Sequence, residues 1–476
     1  MGDTHHRSVP ATREESILES FVSLGGGVLL SRVVAFVGTA YLARTLGTYT
    51  FGIIGFATAV VTFLAFALRA GFEPIGSREV AREPGTASGL AAGVGLLRLV
   101  IAGVGLGFLA LVAYFLNKPL EVRQVVFLAG LTLLPLALDP RWVYRGLARN
   151  RRAGISMVLA QAVYVATLLL VVKSPQQVFW VPLALVLGET VAVFYLALPL
   201  IRNWSGRAEW RRAWGVLRSS GYLVSSSLLD AFIRTTDIVL ISLLLGEAQT
   251  GVYSAAYRVC FLITAIAGSL HWSYLPRLAQ IARNDLPAMR RMTERAFEAA
   301  GSLAIPFVVG GWILASPLLG ALFGLEYAVG QDAFRLLLLG TGLFFLHGIL
   351  FQVLVVFDRT RPELTIRGIA VVLNLLLNIL LIPRYGIEGA ACATVLAEFL
   401  ILSGRWLVCR TLGLVIGPRF LWKPLGAATG MAMTMLWMAP RVPWLFTFFG
   451  GGVIYVALLL LLKGFPRDLR PQGTTV

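Results

Sequence analysis

The chain has little charge of any kind, little lysine, and few cysteines and histidines. Charged residues make up 14% of its 476 positions, where soluble domains carry about 25%. No loop between its apolar stretches is long enough to fold into a catalytic domain. Cys260, Cys392 and Cys409 lie in or near apolar stretches without metal-ligand spacing, so they read as small buried residues, not as a disulfide framework or a metal site. His5 and His6 sit in a polar tail, while His271 and His347 stand alone and read as packing residues. No metal or cofactor is expected. Lysine occurs only as Lys118, Lys173, Lys423 and Lys463, so arginine supplies nearly all of the +17 net charge, a bias of base composition. The basic residues cluster in short loops, which reads as a topology signal and not as a nucleic-acid surface.

What fills the chain is long apolar sequence: 57% of residues are hydrophobic and the mean hydropathy is +0.79. About 20 apolar residues span a bilayer as a helix. Fourteen stretches meet that length, at 20–44, 50–69, 90–116, 121–138, 153–173, 177–200 and 217–245, then 251–274, 297–322, 333–357, 364–382, 387–409, 421–439 and 443–462. Arg7 and Arg13 precede the first, but it lacks a small-residue cleavage site and reads as a retained helix. Arginine is concentrated in alternate loops, around 141–152, 202–212, 277–295, 359–361 and 405–419, whereas the other loops hold only Lys118, Arg123, Lys173, Arg384 and Arg441. This asymmetry predicts that the basic loops and both termini are cytoplasmic. The segments 73–89 and 283–296 mix charge with apolar residues at helical spacing and predict amphipathic helices at that face.

A repeat is also readable. Leu46-Gly47 is followed after three residues by Phe51-Gly52, and Leu245-Gly246 after three residues by Thr250-Gly251. The offset is 199 for both glycines and also relates Arg78 to Arg277. The predicted fold is therefore an all-α integral membrane protein of about 14 transmembrane helices. Two pseudo-symmetric six-helix lobes surround a central cavity, followed by two C-terminal helices. The expected boundaries are 1–200 for the first lobe, 201–216 for a linker, 217–410 for the second lobe and 411–476 for the extra pair and tail.

Charges within the spans point to function. A charge near the bilayer centre costs about 2.5–3.5 kcal/mol on insertion scales, so such residues normally face a cavity or a partner. Arg32, Arg98, Arg234 and Arg258 are the expected cationic cavity of a transporter; Arg32 and Arg234 fall at similar depth in the two lobes. Arg44 and Arg69, at span ends, have the reach to join them or to snorkel. Asp230, Arg234 and Asp237 share one helix face, where each aspartate can pair with the arginine. Asp230, Asp237 and Glu189 are the expected ion-coupling residues, and Glu398 is a further lone carboxylate. Gln161, Asn374 and Asn378 suit helix–helix hydrogen bonds or a sugar path.

Three stretches carry a family resemblance: SRVVAFVGTAYLARTLGTYTFGIIGFATAV at 31–60, LLDAFIRTTDIVLISLLLGEAQTGVYSAAYRV at 228–259 and NILLIPRYGIEGAACATVLAEF at 378–399. They resemble prokaryotic oligosaccharide flippases of the polysaccharide-transporter family, in the superfamily shared with multidrug exporters and the lipid II flippase. The resemblance implies flipping of undecaprenyl-pyrophosphate-linked oligosaccharide across the cytoplasmic membrane by alternating access, for cell-surface polysaccharides such as O-antigen. It also implies a coupling ion (H+ or Na+) and a polymerase or export machinery as partners. The extra helix pair keeps a lipid II flippase as an alternative. A multidrug antiporter would want acidic cavity residues, and a membrane glycosyltransferase or polymerase would want paired carboxylates on a substantial loop; an enzyme is not expected.

Overall fold

The computed structural model describes residues 17–69, 72–202, 208–281, 285–415, 417, 421–462 and 464, with the side chains of 17–24, 222, 223, 226 and 227 left aside. The polar tail, Arg207, Arg283, Asn284, Arg419 and Lys463 lie outside the described residues. Among the described residues there is no strand. The first lobe comprises α1 (Ile17–Arg69), α2 (Phe72–Arg82), α3 (Ala87–Phe115), α4 (Leu120–Gly130), α5 (Leu133–Ala137), α6 (Arg141–Gly146), α7 (Asn150–Val171) and α8 (Trp180–Arg202). Then come α9 (Trp210–Ser219), α10 (Gly221–Leu245), α11 (Glu247–Gln280), α12 (Leu286–Ile313), α13 (Ala315–Phe323), α14 (Gln331–Val356) and α15 (Thr360–Thr411). The extra pair is α16 (Trp422–Met438) and α17 (Trp444–Leu461).

Ten helical stretches are long and apolar enough to cross a membrane. Two of them, 25–82 and 360–411, each hold two spans, because the chain turns at Gly47 (φ 73°, ψ 171°) and at Gly386 (φ 63°, ψ −141°). With α10 and α16 the described spans reach the fourteen expected. Large apolar side chains such as Val104, Leu170 and Phe194 point outward, as a hydrocarbon solvent allows.

Several boundaries differ from expectation. The span expected at 121–138 is broken into α4 and α5, with α6 beyond Pro140. The 201–216 stretch, expected as a plain linker, contains most of the amphipathic helix α9. Its buried face is Ala213 and Val216, while Trp210 and Trp214 are exposed. The segment expected as a separate amphipathic helix at 283–296 is, from Leu286 onward, the first half of α12, which continues through Pro306 to Ile313.

The repeat reappears as geometry. Gly246 (φ 89°, ψ −179°) copies the backbone of Gly47, a conformation essentially confined to glycine. One turn further on, the lobes clasp reciprocally. A Cβ on Gly52 would overlap the carbonyl oxygen of Glu247, and a Cβ on Gly251 would overlap that of Thr48. The offset of 199 relates Thr48 to Glu247 as it relates Gly52 to Gly251. Gly55 meets Ser254, its own counterpart, so the pseudo-twofold axis passes between them. Lys118 adds an ion pair across the lobes to Glu247 at 2.8 Å. Arg44 donates to the carbonyl oxygens of Ala321 and Leu322 near the C-terminus of α13, a latch between lobes and not a cavity residue. Nearer the other membrane face Phe63 and Phe232 touch edge to face, 4.7 Å between centroids.

Gly251→Ala must therefore push the lobes apart at this end. We expect about 1–3 kcal/mol of overpacking strain and faster labelling of a Thr48→Cys probe by a membrane-impermeant thiol reagent. Unchanged labelling and unfolding temperature would show that the clasp does not hold this end shut.

Candidate functional site

The second lobe encloses a cavity of about 310 Å³ between α10, α11, α14 and α15. Its wall is an alternating chain of charge. Asp230 pairs with Arg367; Arg367 and Arg405 share the carboxylate of Glu363; Arg405 Nη1 donates to His347 Nδ1 at 2.6 Å; and His347 Nε2 meets Glu398 Oε2 at 2.5 Å. A guanidinium has no acceptor, so Nδ1 must accept and Nε2 carries the proton donated to Glu398. Phe351 lies 5.2 Å from the guanidinium carbons of both Arg367 and Arg405. Opposite charges thus compensate each other along the wall, as burial demands.

Arg234 is arranged differently. Its guanidinium lies over the Phe344 ring at 5.6 Å, beside Tyr257. Arg32, from α1 of the other lobe, stacks over Phe261 at 5.2 Å, within electrostatic reach of Arg234. Arg258 sits near Tyr164 of the first lobe and Tyr257. Among the described residues no carboxylate lies within ion-pair distance of these three arginines. Three of the four expected cavity arginines therefore lie at the lobe interface, Arg32 and Arg234 over aromatic faces and Arg258 beside two tyrosines.

Arg98 does not join them. It is fully buried inside the first lobe, over Phe72 at 5.2 Å and 3.4 Å from the Asp139 carbonyl oxygen. The reason is α2, which folds back beneath α3 and covers the position with Phe72. The expected aspartate–Arg234 pairs do not form either. Where α15 packs against α10, Arg367 takes Asp230, and Asp237 accepts hydrogen bonds from Tyr253 Oη (2.9 Å), Asn378 Nδ2 (2.9 Å) and Thr394 Oγ1 (2.5 Å). Asp237 is buried with three neutral donors, and Asn378 Oδ1 beside it is buried without a donor. Glu189, expected as a lone carboxylate, is held by Arg141 Nη2 at 3.0 Å, with Asp139 on the same guanidinium at 3.1 Å.

Arg69 lines a first-lobe cavity of about 790 Å³, where it lies 3.9 Å from both Glu73 and Asp139. His271 Nε2 donates to the Phe345 carbonyl oxygen at 2.9 Å as a packing residue, whereas His347 belongs to the charge chain. Glu363, Arg367 and Arg405 were missed by sequence reasoning. Glu363 and Arg367 stand four apart, a readable helical ion-pair signal. Arg405 counts in sequence as one more basic-loop residue, and only the approach of α14 reveals its depth.

Residues 17–282 match the family model described as polysaccharide biosynthesis protein, and residues 223–380 match the one described as MatE. The chain is 27% identical over 194 residues to a probable low-salt glycan biosynthesis flippase of Haloferax volcanii, covering 40% of this chain and 41% of that protein. It is 28% identical over 165 residues to a probable flippase of the same organism, covering 34% of each. The chain thus spans less than half the length of these curated relatives. Its fold is similar to that of a lipid II flippase in an inward closed conformation, with TM-score 0.72, 13% identity and coverage of 94% of this chain and 99% of that one. A multidrug resistance MATE transporter in an inward-facing conformation matches with TM-score 0.63, 15% identity and coverage of 80% and 95%. Since the first family model covers more than half of its residues, the chain belongs to the polysaccharide biosynthesis protein family.

Proposed function

We propose that this protein flips polyprenyl-diphosphate-linked oligosaccharide, of the undecaprenyl class, across the cytoplasmic membrane by alternating access between its two lobes, without catalysing a reaction. The observation that carries the reading is the sorting of buried arginines. Arg141, Arg367 and Arg405 are each neutralised by carboxylates, whereas Arg32, Arg234 and Arg258 gather at the lobe interface without one. Guanidinium groups without a direct carboxylate partner at membrane depth suit a diphosphate, which they bind through paired, charge-assisted hydrogen bonds. The name of one Haloferax relative, a probable low-salt glycan biosynthesis flippase, supports a glycan cargo. The basic loops and both termini would face the cytoplasm. A cation-exporting multidrug carrier of the same fold would be poorly served by this interface.

For ion coupling, Asp237 is the candidate that the surroundings favour, because Asp230 and Glu189 already have arginine partners. Oxygens of Asp237, Asn374, Asn378 and Thr394 lie together in the second lobe. Such a set suits a hard monovalent cation or a proton.

In proteoliposomes supplied with a diphosphate-linked oligosaccharide, Arg32→Gln, Arg234→Gln and Arg258→Gln are expected to lower transport. A lost charged hydrogen bond is worth about 1.5–3 kcal/mol, so roughly tenfold or more in affinity. Wild-type rates in all three would sink the assignment. Arg98→Met is expected to keep the transport rate and lose about 1–3 kcal/mol of stability in thermal unfolding. For coupling, Asp237→Asn should flip at a rate that no longer responds to an imposed Na+ or H+ gradient; a response equal to wild type would remove Asp237 from that role.

A further inference from the structure

The first-lobe cavity has no part in anion binding as described above, yet its volume of about 790 Å³ falls in the range of small-molecule sites. One wall is a stripe of α1 bearing Thr58, Thr62 and Arg69, spaced four and seven residues apart and so on one helix face. Arg145 of α6 pairs there with Glu73 of α2 at 3.2 Å. Glu189 of α8 lines the same space, one of its oxygens held by Arg141. The Nε groups of Arg69 and Arg145 are buried without an acceptor.

The other lobe contributes a single lining residue. Trp272 of α11 lines both this cavity and the second-lobe cavity that holds Arg234. Trp272 is 64% exposed, because it stands where the two cavities open toward each other. The residue before it explains the placement. The His271 ring packs on Gly348, where any Cβ would overlap it, and its Nε2 lies 2.9 Å from the Phe345 carbonyl oxygen. That contact fixes the rotation of α11 against α14. The next residue, about 100° further round the helix, is turned into the crevice between the two cavities.

The chemistry of the two spaces differs. Arg69 and Arg145 are matched by Glu73 and Glu189, so a polyanion entering here would meet as many carboxylates as guanidinium groups. Intermixed donors and acceptors beside an exposed aromatic face are instead the complement of a neutral pyranose. Its hydroxyls both donate and accept, and its C–H face is apolar. We infer that the first-lobe cavity is the saccharide subsite and that Trp272 stacks on the sugar next to the diphosphate, making it a specificity-determining residue. The inference rests on the diphosphate reading above and adds where the sugar is read.

The test compares two kinds of probe on the purified full-length protein in lipid nanodiscs: farnesyl diphosphate, and farnesyl diphosphate carrying glucose, galactose or N-acetylglucosamine. The readout is the affinity ratio of each sugar-bearing probe to the bare one. Wild type should favour at least one sugar-bearing probe by roughly five- to tenfold, the scale of one stacked aromatic contact. Trp272→Ala should bring that ratio close to one, and Trp272→Phe should restore part of it. Arg234→Gln should weaken both kinds of probe and preserve the ratio. A ratio that survives Trp272→Ala, or a wild-type ratio of one for all three sugars, overturns the saccharide subsite while leaving diphosphate binding standing. Failure of the wild type to bind bare farnesyl diphosphate overturns the diphosphate reading, and this inference with it.

Discussion

Everything else in this fold is arranged around a contact that only two glycines permit. Gly52 and Gly251 let the backbones of α1 and α11 approach until each presses on a carbonyl of the other lobe. That closeness brings the first helix of one lobe against the second helix of the other. Arg32 is thereby placed over Phe261, and the Tyr327 hydroxyl within 3.0 Å of the Ala43 carbonyl oxygen. A bulkier residue at either position would move every group that meets across the axis, because packed interiors do not absorb even a methyl without displacement.

The two lobes share topology but not chemistry. The second carries the alternating chain of Asp230, Arg367, Glu363, Arg405, His347 and Glu398 around a small cavity. The first carries a compact cluster in which Arg141 holds Asp139 and Glu189, together with a larger cavity facing Trp272. Duplication accounts for the shared backbone and the glycine clasp, while the side chains have diverged so that each lobe presents a different surface to the interface.

The spans and the repeat were legible because they depend on local properties: length of apolar sequence, and glycine at positions that need positive φ. Arg32 and Arg234 were legible because charge at membrane depth is visible without a structure. Arg98 misled because depth alone does not say which neighbour covers a side chain, and the covering residue, Phe72, comes from a helix outside the spans. Asp230 and Asp237 were read with the partner on their own helix, whereas helix packing supplied nearer ones on α15. Glu363, Arg367 and Arg405 near the ends of α15's two arms looked like ordinary loop-flanking charge. Their meeting depends on the turn at Gly386, which folds the two arms of that helix back on each other.

The charge chain of the second lobe has an electrical consequence. Its carboxylates and guanidinium groups cancel apart from one negative charge, which Arg234 balances. The surplus at the interface is then Arg32 and Arg258. On the carrier reading, a bound diphosphate offsets that surplus, so the loaded transition moves little net charge through the field. The empty carrier keeps it. A membrane potential does about 2.3 kcal/mol of work per elementary charge per 100 mV on whatever fraction of the field that charge crosses. On the same reading, a negative interior would draw the unloaded site back toward the cytoplasm, and the resting voltage would bias which way the empty protein faces.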